Sequence, residues 1–458
     1  MSGLAERNGG RVGLAVLVVV LLLGLGLRVE EAWDGRDPVF DAAAYAEIAR
    51  NLDQGSGFTL GADATQPASN YSPGIPLFVG GIYELAGGDH ERTARLLLAL
   101  IGTLAVLFAY LIGRRLSGPA AGLVGAAAVA IYPALLEYQG MLMGEPLAAT
   151  LLSGAVLAAF WAAGPAVSAR GSCRGAGGPA GSPRAVLDPP APRHPRERWL
   201  VPGALFGALA LVRPEYLGVA LLVSFVVFAR NGRREWSRTL VQTLLMLAGV
   251  ALIVVPWTVR NAIALDRFVP ISTGGGQVLF AGTYLPSDGD PERVGVEVVE
   301  RHPDLYGPDA VQRLRLEQIL ARLAQQQYPE LGTDQALARM GREQLWDDLT
   351  EEPADYAGFV AAKVWRIWAL GQRKVMRQPG WEIFHWALLA FGLLGLAALA
   401  LQRRWEALLL ATVFVAITAL CALLVASPRR VLVLMPLVAA LAGVGAAETV
   451  AQLRRRMH

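Results

Sequence analysis

An unbroken apolar run from Val12 to Leu27 opens the chain, and apolar blocks of similar length recur to its end. A block of this kind constrains a chain more than any motif. An α-helix rises about 1.5 Å per residue, so about 20 apolar residues cross the ~30 Å hydrocarbon layer of a bilayer. Ten spans are expected: 12–27, 93–112, 118–137, 145–163, 198–213, 215–229, 239–257, 381–401, 405–425 and 431–450. Composition agrees, with 54% hydrophobic and 17% charged residues, where soluble domains hold about 25% charged. A disordered chain, a disulfide-stapled scaffold and an ordinary soluble enzyme are excluded. The first run continues into Arg28-Val29-Glu30-Glu31 without a small-residue cleavage site, which predicts an uncleaved first span.

Basic clusters orient the spans. Arg7 and Arg11 precede the first one, and Arg114-Arg115, Arg230 to Arg238, Arg403-Arg404 and Arg454 to Arg456 follow others. Positively charged flanks stay on the cytoplasmic side. The stretch 164–198 carries six arginines against one Asp and one Glu and is rich in Gly and Pro. It predicts a flexible cytoplasmic linker. Pro73–Ala86 is apolar but 14 residues long, about 21 Å as a helix, and is expected to be re-entrant or interfacial. Both termini then lie inside. The chain divides into a membrane module (1–257) with a first external loop (30–92), a large external loop (258–380) and C-terminal spans (381–458).

A net charge of +3 predicts no nucleic-acid partner. Cys173 and Cys421 lie in segments of opposite character, and five scattered histidines show no metal-ligand spacing. Neither a disulfide framework nor a metal or other cofactor is expected.

Function should reside in the two external stretches. From Asp41 to Leu52 the spacing predicts a short amphipathic helix, with Tyr45, Ile48, Ala49 and Leu52 on one face. Asp41 stands at its N-cap, either as a simple cap or as a carboxylate at the membrane boundary able to take a proton from an acceptor. Glu145 opens the fourth span, where a carboxylate either complements the helix dipole or faces a wet cavity. Arg213-Pro214-Glu215, Pro256-Trp257-Thr258-Val259-Arg260-Asn261 and Ser427-Pro428-Arg429-Arg430 all put arginine outside, against the charge trend. Local ion pairs are one reading. Guanidinium groups converging on a phosphate are the other. Gly274-Gly275-Gly276 is weak evidence of a phosphate loop, and Asp355–Leu370 reads as an interfacial helix.

The order of these pieces resembles the GT-C superfamily of membrane glycosyltransferases, within it the protein mannosyltransferase and aminoarabinose transferase group. The resemblance rests on Asp41-(x)3-Tyr45-(x)3-Ala49-Arg50-Asn51-Leu52-(x)2-Gly55-x-Gly57-Phe58, Ser72-Pro73-Gly74-Ile75-Pro76-Leu77 and Arg95-Leu96-Leu97. It continues through Glu145-Pro146-Leu147, Arg213-Pro214-Glu215, the segment 256–261, Val269-Pro270-Ile271-Ser272-Thr273 and the arginines before the last span. It implies an all-α polytopic fold in the plasma (inner) membrane. It also implies a sugar donor on a polyprenyl phosphate, a lipid, glycan or protein acceptor, and metal-independent, inverting transfer on the extracytoplasmic face.

In this resemblance Asp41 matches the catalytic base. Many relatives have Asp-Glu there, whereas this chain has Asp41-Ala42, so the second acid's role is vacant. Glu145 matches a second acidic position, and Arg429 or Arg430 a residue that holds the lipid phosphate. Substrate contacts are expected from Tyr45, Glu145, Arg213, Arg260, Arg429 and Arg430. A transporter or flippase of lipid-linked sugars is the alternative. Such proteins tend to carry inverted repeats and broken helices, and the sequence has no evident repeat.

Overall fold

The computed structural model describes residues 2–38, 41–61, 64, 66–164, 196–230, 236–290, 293–307, 309–369 and 374–457. The chain opens with helix α1 (Ser2–Asp34), α2 (Asp41–Asp53), and a short antiparallel ribbon of β1 (Thr59–Leu60) and β2 (Gln66–Pro67). Then come α3 (Gly74–Ala86), α4 (Glu91–Ser117), α5 (Pro119–Ile131), α6 (Pro133–Glu137) and α7 (Glu145–Ala163). Helices α8 (Leu200–Val212), α9 (Tyr216–Ala229) and α10 (Trp236–Leu265) lead to six helices that form a cap. These are α11 (Gly275–Thr283), α12 (Val294–Arg301), α13 (Ala310–Arg313), α14 (Leu316–Gln327), α15 (Thr333–Glu351) and α16 (Pro353–Ala369). The chain closes with α17 (Pro379–Leu401), α18 (Trp405–Leu423), α19 (Pro428–Leu432) and α20 (Met435–Met457).

The protein is an all-α polytopic membrane protein. Among the described residues seven helices are long and apolar enough to cross a bilayer: α1, α4, α7, α10, α17, α18 and α20. Their outward faces keep large apolar side chains exposed, such as Leu22, Leu252 and Leu393, as lipid contact requires. The shared core centres on α20, where Met435 to Gly445 are all buried.

Three expected spans differ in form. The stretch 118–137 is broken: α5 and α6 meet at a 53° bend. Pro133 has no N–H to continue the helix, and Tyr132 before it is extended, with ψ 110°, as a residue preceding proline prefers. Arg28, buried in α1, donates to the carbonyls of Val129 and Ala130 that the break leaves open. Stretches 198–213 and 215–229 emerge as α8 and α9, of 13 and 14 residues, about 20 Å each. Gly74–Ala86 is a helix of 13 residues packed on α2 and α4. The linker expected at 164–198, with Cys173, lies mostly outside the described residues, and Cys421 is buried and free.

The cap has its own core, with Phe280, Val298, Leu320, Leu323 and Leu337 at its centre. Lys363 of α16 is wholly buried and donates to the Gly282 carbonyl at 2.6 Å, at the C-terminal end of α11. Burial pulls its ammonium down to about 8.

Candidate functional site

Three helix ends meet at one side chain. A Cβ on Gly74, where α3 starts, would lie 2.5 Å from Val212, and one on Gly144, just before α7, would lie 3.1 Å from it. Val212 ends α8. Glycine at these two turns therefore lets the ends converge, and this brings Glu145 at the start of α7 beside Arg213 just past α8. Each charge complements the dipole of its own helix.

From there the charges alternate. Arg429 Nη1 donates to Asp41 Oδ2 at 3.0 Å, and Arg429 Nε to Glu145 Oε1 at 2.6 Å. Arg213 Nη2 reaches the same Glu145 oxygen at 2.6 Å. Arg213 Nη1 stands 4.0 Å from Glu215 Oε1, and Arg430 Nε is 3.5 Å from that oxygen. Three carboxylates and three guanidiniums thus form one ladder of zero formal charge. Glu145 is fully buried at its centre, while Asp41 at one end keeps 43% of its side chain exposed. Burial opposes the charge on Arg429, but Glu145 and Asp41 outweigh it and hold the guanidinium above its ordinary range.

The ladder flanks a cavity of about 710 Å³. Asp41, Tyr45, Tyr71, Thr273, Gln277 and Arg430 contribute to its polar part. Leu217, Gly218 and Leu221 of α9, Leu420 of α18 and Leu424 just past it make the apolar part. Tyr45 and Tyr71 meet edge to face, with ring centres 5.9 Å apart. Burial first, then the Asp41 carboxylate, push the Tyr45 phenol above its ordinary range, so it remains a hydrogen-bond donor. The Tyr71 phenol is raised too, by burial and then by Glu317 and Asp41.

Two sequence motifs build the far wall by binding each other. Trp257 Nε1 and Asn261 Nδ2 both donate to the Ile271 carbonyl, at 2.8 and 2.9 Å, and Thr258 Oγ1 donates to Pro270 O at 2.8 Å. The segment 269–273 is thereby fixed, and Thr273 N donates to Ser69 O at 2.7 Å. Asp334 Oδ1 accepts from Gly276 N, so this part of the glycine run starts a helix against α15, while Gly274 and Gly275 line the cavity.

Asp41, Tyr45, Glu145, Arg213, Arg429 and Arg430 are therefore brought together. Arg260 is not. It lies over the rings of Trp257 and Phe58, at 5.0 and 5.5 Å, with its nearest donations to Asn261 and the Phe58 carbonyl. Its place against the charge trend reflects that aromatic seat. Asp41 is the first residue of α2 rather than the N-cap before it, and it accepts from Arg429 at Oδ2. The cavity also holds Glu215, Tyr71, Gln277 and Glu317, which were not expected as site residues. Glu215 carried a signal, the acid two residues after Arg213. Glu317 carried none. Among the described residues no three His, Cys, Asp or Glu side chains gather as a metal-binding group.

Neither a family model nor a curated protein matches the chain. Its fold does have solved counterparts. The apo oligosaccharyltransferase of Archaeoglobus fulgidus superposes with a TM-score of 0.54 at 14% identity, over 97% of this chain and 51% of that one. The complex of the same archaeal enzyme, AglB, with an inhibitory peptide and a dolichol-phosphate gives 0.55 at 16% identity, again over 97% and 51%. The chain thus spans about half the length of these proteins and shares their fold over that part. ArnT from Cupriavidus metallidurans bound to undecaprenyl phosphate is more distant, with a TM-score of 0.40 at 16% identity over 97% and 78%.

Proposed function

We propose that the chain is a membrane glycosyltransferase that moves a sugar from a polyprenyl-phosphate donor to a lipid, glycan or protein acceptor on the extracytoplasmic face. One observation carries the reading. A neutral ladder of acids and arginines flanks a cavity whose one part is polar and whose other part is apolar. A lipid phosphate sugar has the same division. The dolichol-phosphate named for the archaeal complex supports the donor class through the shared fold.

The donor phosphate lies at Arg430, the ladder guanidinium that lines the cavity, with its chain against Leu217, Leu221 and Leu420. The sugar meets Tyr45, Tyr71 and Thr273. Asp41 Oδ2 is held by Arg429, which leaves Oδ1 to accept the proton of an acceptor hydroxyl or amine. The acceptor atom bonds to the anomeric carbon as the carbon–oxygen bond to phosphate breaks. The electron pair leaves with the phosphate oxygen, and Arg430 stabilises the charge that develops there. A single displacement of this kind inverts the anomeric centre. Arg213 and Glu145 keep Arg429 in place rather than touching substrate.

The test is release of free polyprenyl phosphate by the purified full chain from a polyprenyl-phosphate sugar, with glycolipid and peptide acceptors supplied. Release that depends on acceptor and on Asp41 supports the enzyme. Tight donor binding with donor crossing vesicle membranes intact, and no release, supports the transporter instead.

A further inference from the structure

A second concavity lies on the lipid-facing side of the bundle, between α4, α7 and α8. It has a volume of about 810 Å³, and Leu104, Phe108, Leu147, Leu151, Leu157 and Leu205 make most of its wall. Ile101 and Arg115 mark its two ends along α4, a distance of about 21 Å. That exceeds the ~15 Å of one hydrocarbon leaflet. The end nearer the site reaches Leu147, two residues along α7 from Glu145.

The other end differs in chemistry. Arg114 stands exposed at the rim, beside Arg115 and Trp161. Arg198 lies over Trp161 at 4.3 Å. Among the described residues the acids near this cluster are Glu197, next to Arg198 in the chain, and Glu406, buried and held by Arg404 at 3.2 Å, with Arg115 further off at 3.8 Å. Arg115 Nη2 donates to the Gly164 carbonyl at 2.5 Å, while its Nε is buried with no hydrogen-bond partner among the described residues. A long apolar groove therefore ends at Arg114 and Arg115, and among the described residues Glu406, shared with Arg404, is the one acid paired with either.

We infer that this groove binds an anionic phospholipid, with one acyl chain along α4 and α7 and the phosphate at Arg114 and Arg115. Arginine offers paired donors to phosphate oxygens. A headgroup without its own cation leaves that attraction uncancelled, so phosphatidylglycerol is favoured over phosphatidylcholine. The bound chain braces α7, the helix that carries Glu145. The inference stands independently of the reaction proposed above.

Native mass spectrometry of the delipidated full chain, titrated with each of these two lipids, tests it. Phosphatidylglycerol is expected to bind about tenfold tighter, a difference of one charged contact. Arg114→Gln should remove most of that preference. Leu104→Trp, which fills the groove, should weaken both lipids, and Arg454→Gln should change neither. If Leu104→Trp fails to elute as a folded monodisperse species, Leu157→Phe takes its place. Equal affinity for the two lipids, or a preference untouched by Arg114→Gln, overturns the inference. So does displacement of phosphatidylglycerol from the groove by equimolar polyprenyl phosphate.

Discussion

At the end of the bundle that holds Asp41, each arginine of the ladder is met by carboxylate: Arg429 by Asp41 and Glu145, Arg213 by Glu145, Arg430 by Glu215. At the other end Arg115 and Arg404 share one buried acid, Glu406, while Arg114 is exposed and Arg198 lies over Trp161. The same residue type thus serves two purposes. At the far end the charge of Arg114 is exposed to solvent and headgroups, where it costs little. At the site end the ladder gathers around the fully buried carboxylate of Glu145, and each of its guanidiniums is neutralised by an acid.

Removing a carboxylate from the balanced end should have the largest effect. Glu145→Ala leaves Arg429 and Arg213 facing each other in a buried place. Breaking a buried pair costs about 3–5 kcal/mol, so the variant should unfold well below the parent in a detergent melt. A melt unchanged from the parent would mean that water already screens the ladder. Asp41→Asn keeps the shape but removes the proposed base. Its kcat should fall on the order of 10²-fold or more with donor affinity nearly kept, and near-parental turnover would sink the assignment.

Arg430→Ala comes next. One lost charged hydrogen bond should weaken donor engagement by roughly ten- to a hundredfold, and Lys should rescue only in part. A donor titration that does not distinguish Arg430→Ala from the parent, in affinity or rate, moves the phosphate to Arg429.

The cap supplies a pH-dependent case. Burial, then Glu352 and Asp347, raise Asp348 to about 6. The folded state then holds a proton that the unfolded state has released, and stability falls as pH rises from about 4 to 6. Asp348→Asn should melt higher than the parent at pH 7, by an effect of order 1 kcal/mol once solvent screening is allowed for, and equally below pH 4. A gain that persists at low pH would assign the effect to something other than this proton.

Arg114→Gln, at the unbalanced end, should stay within about 0.5 kcal/mol of the parent in lipid-free detergent. A large loss there would erase the contrast between the two ends.

Hydropathy made the bundle legible, because apolar blocks of membrane length have few other fates. It counted residues without weighing Pro133, so the break between α5 and α6 went unseen. Arginine on the wrong side of the charge trend pointed to Arg213, Arg429 and Arg430. The identical signal at Arg260 marked a seat on Trp257 and Phe58, since charge position does not reveal a ring supplied by a distant loop. Carboxylate partners were hidden for the same reason: Asp41 and Arg429 are 388 residues apart. Cap residues such as Glu317 reach the cavity only through tertiary packing, which no local period records.

Helices α8 and α9 hold 13 and 14 residues, and a ~30 Å hydrocarbon layer extends about 10 Å past the corner where they join. Hydrophobic mismatch of that size costs a fraction of a kcal/mol per Å. Around Arg213-Pro214-Glu215, then, the bilayer must thin or admit water to a depth that ordinary spans keep dry. The acyl length of the surrounding lipid becomes a variable of the proposed reaction: shorter chains relax the dimple over the corner, and longer ones tighten it.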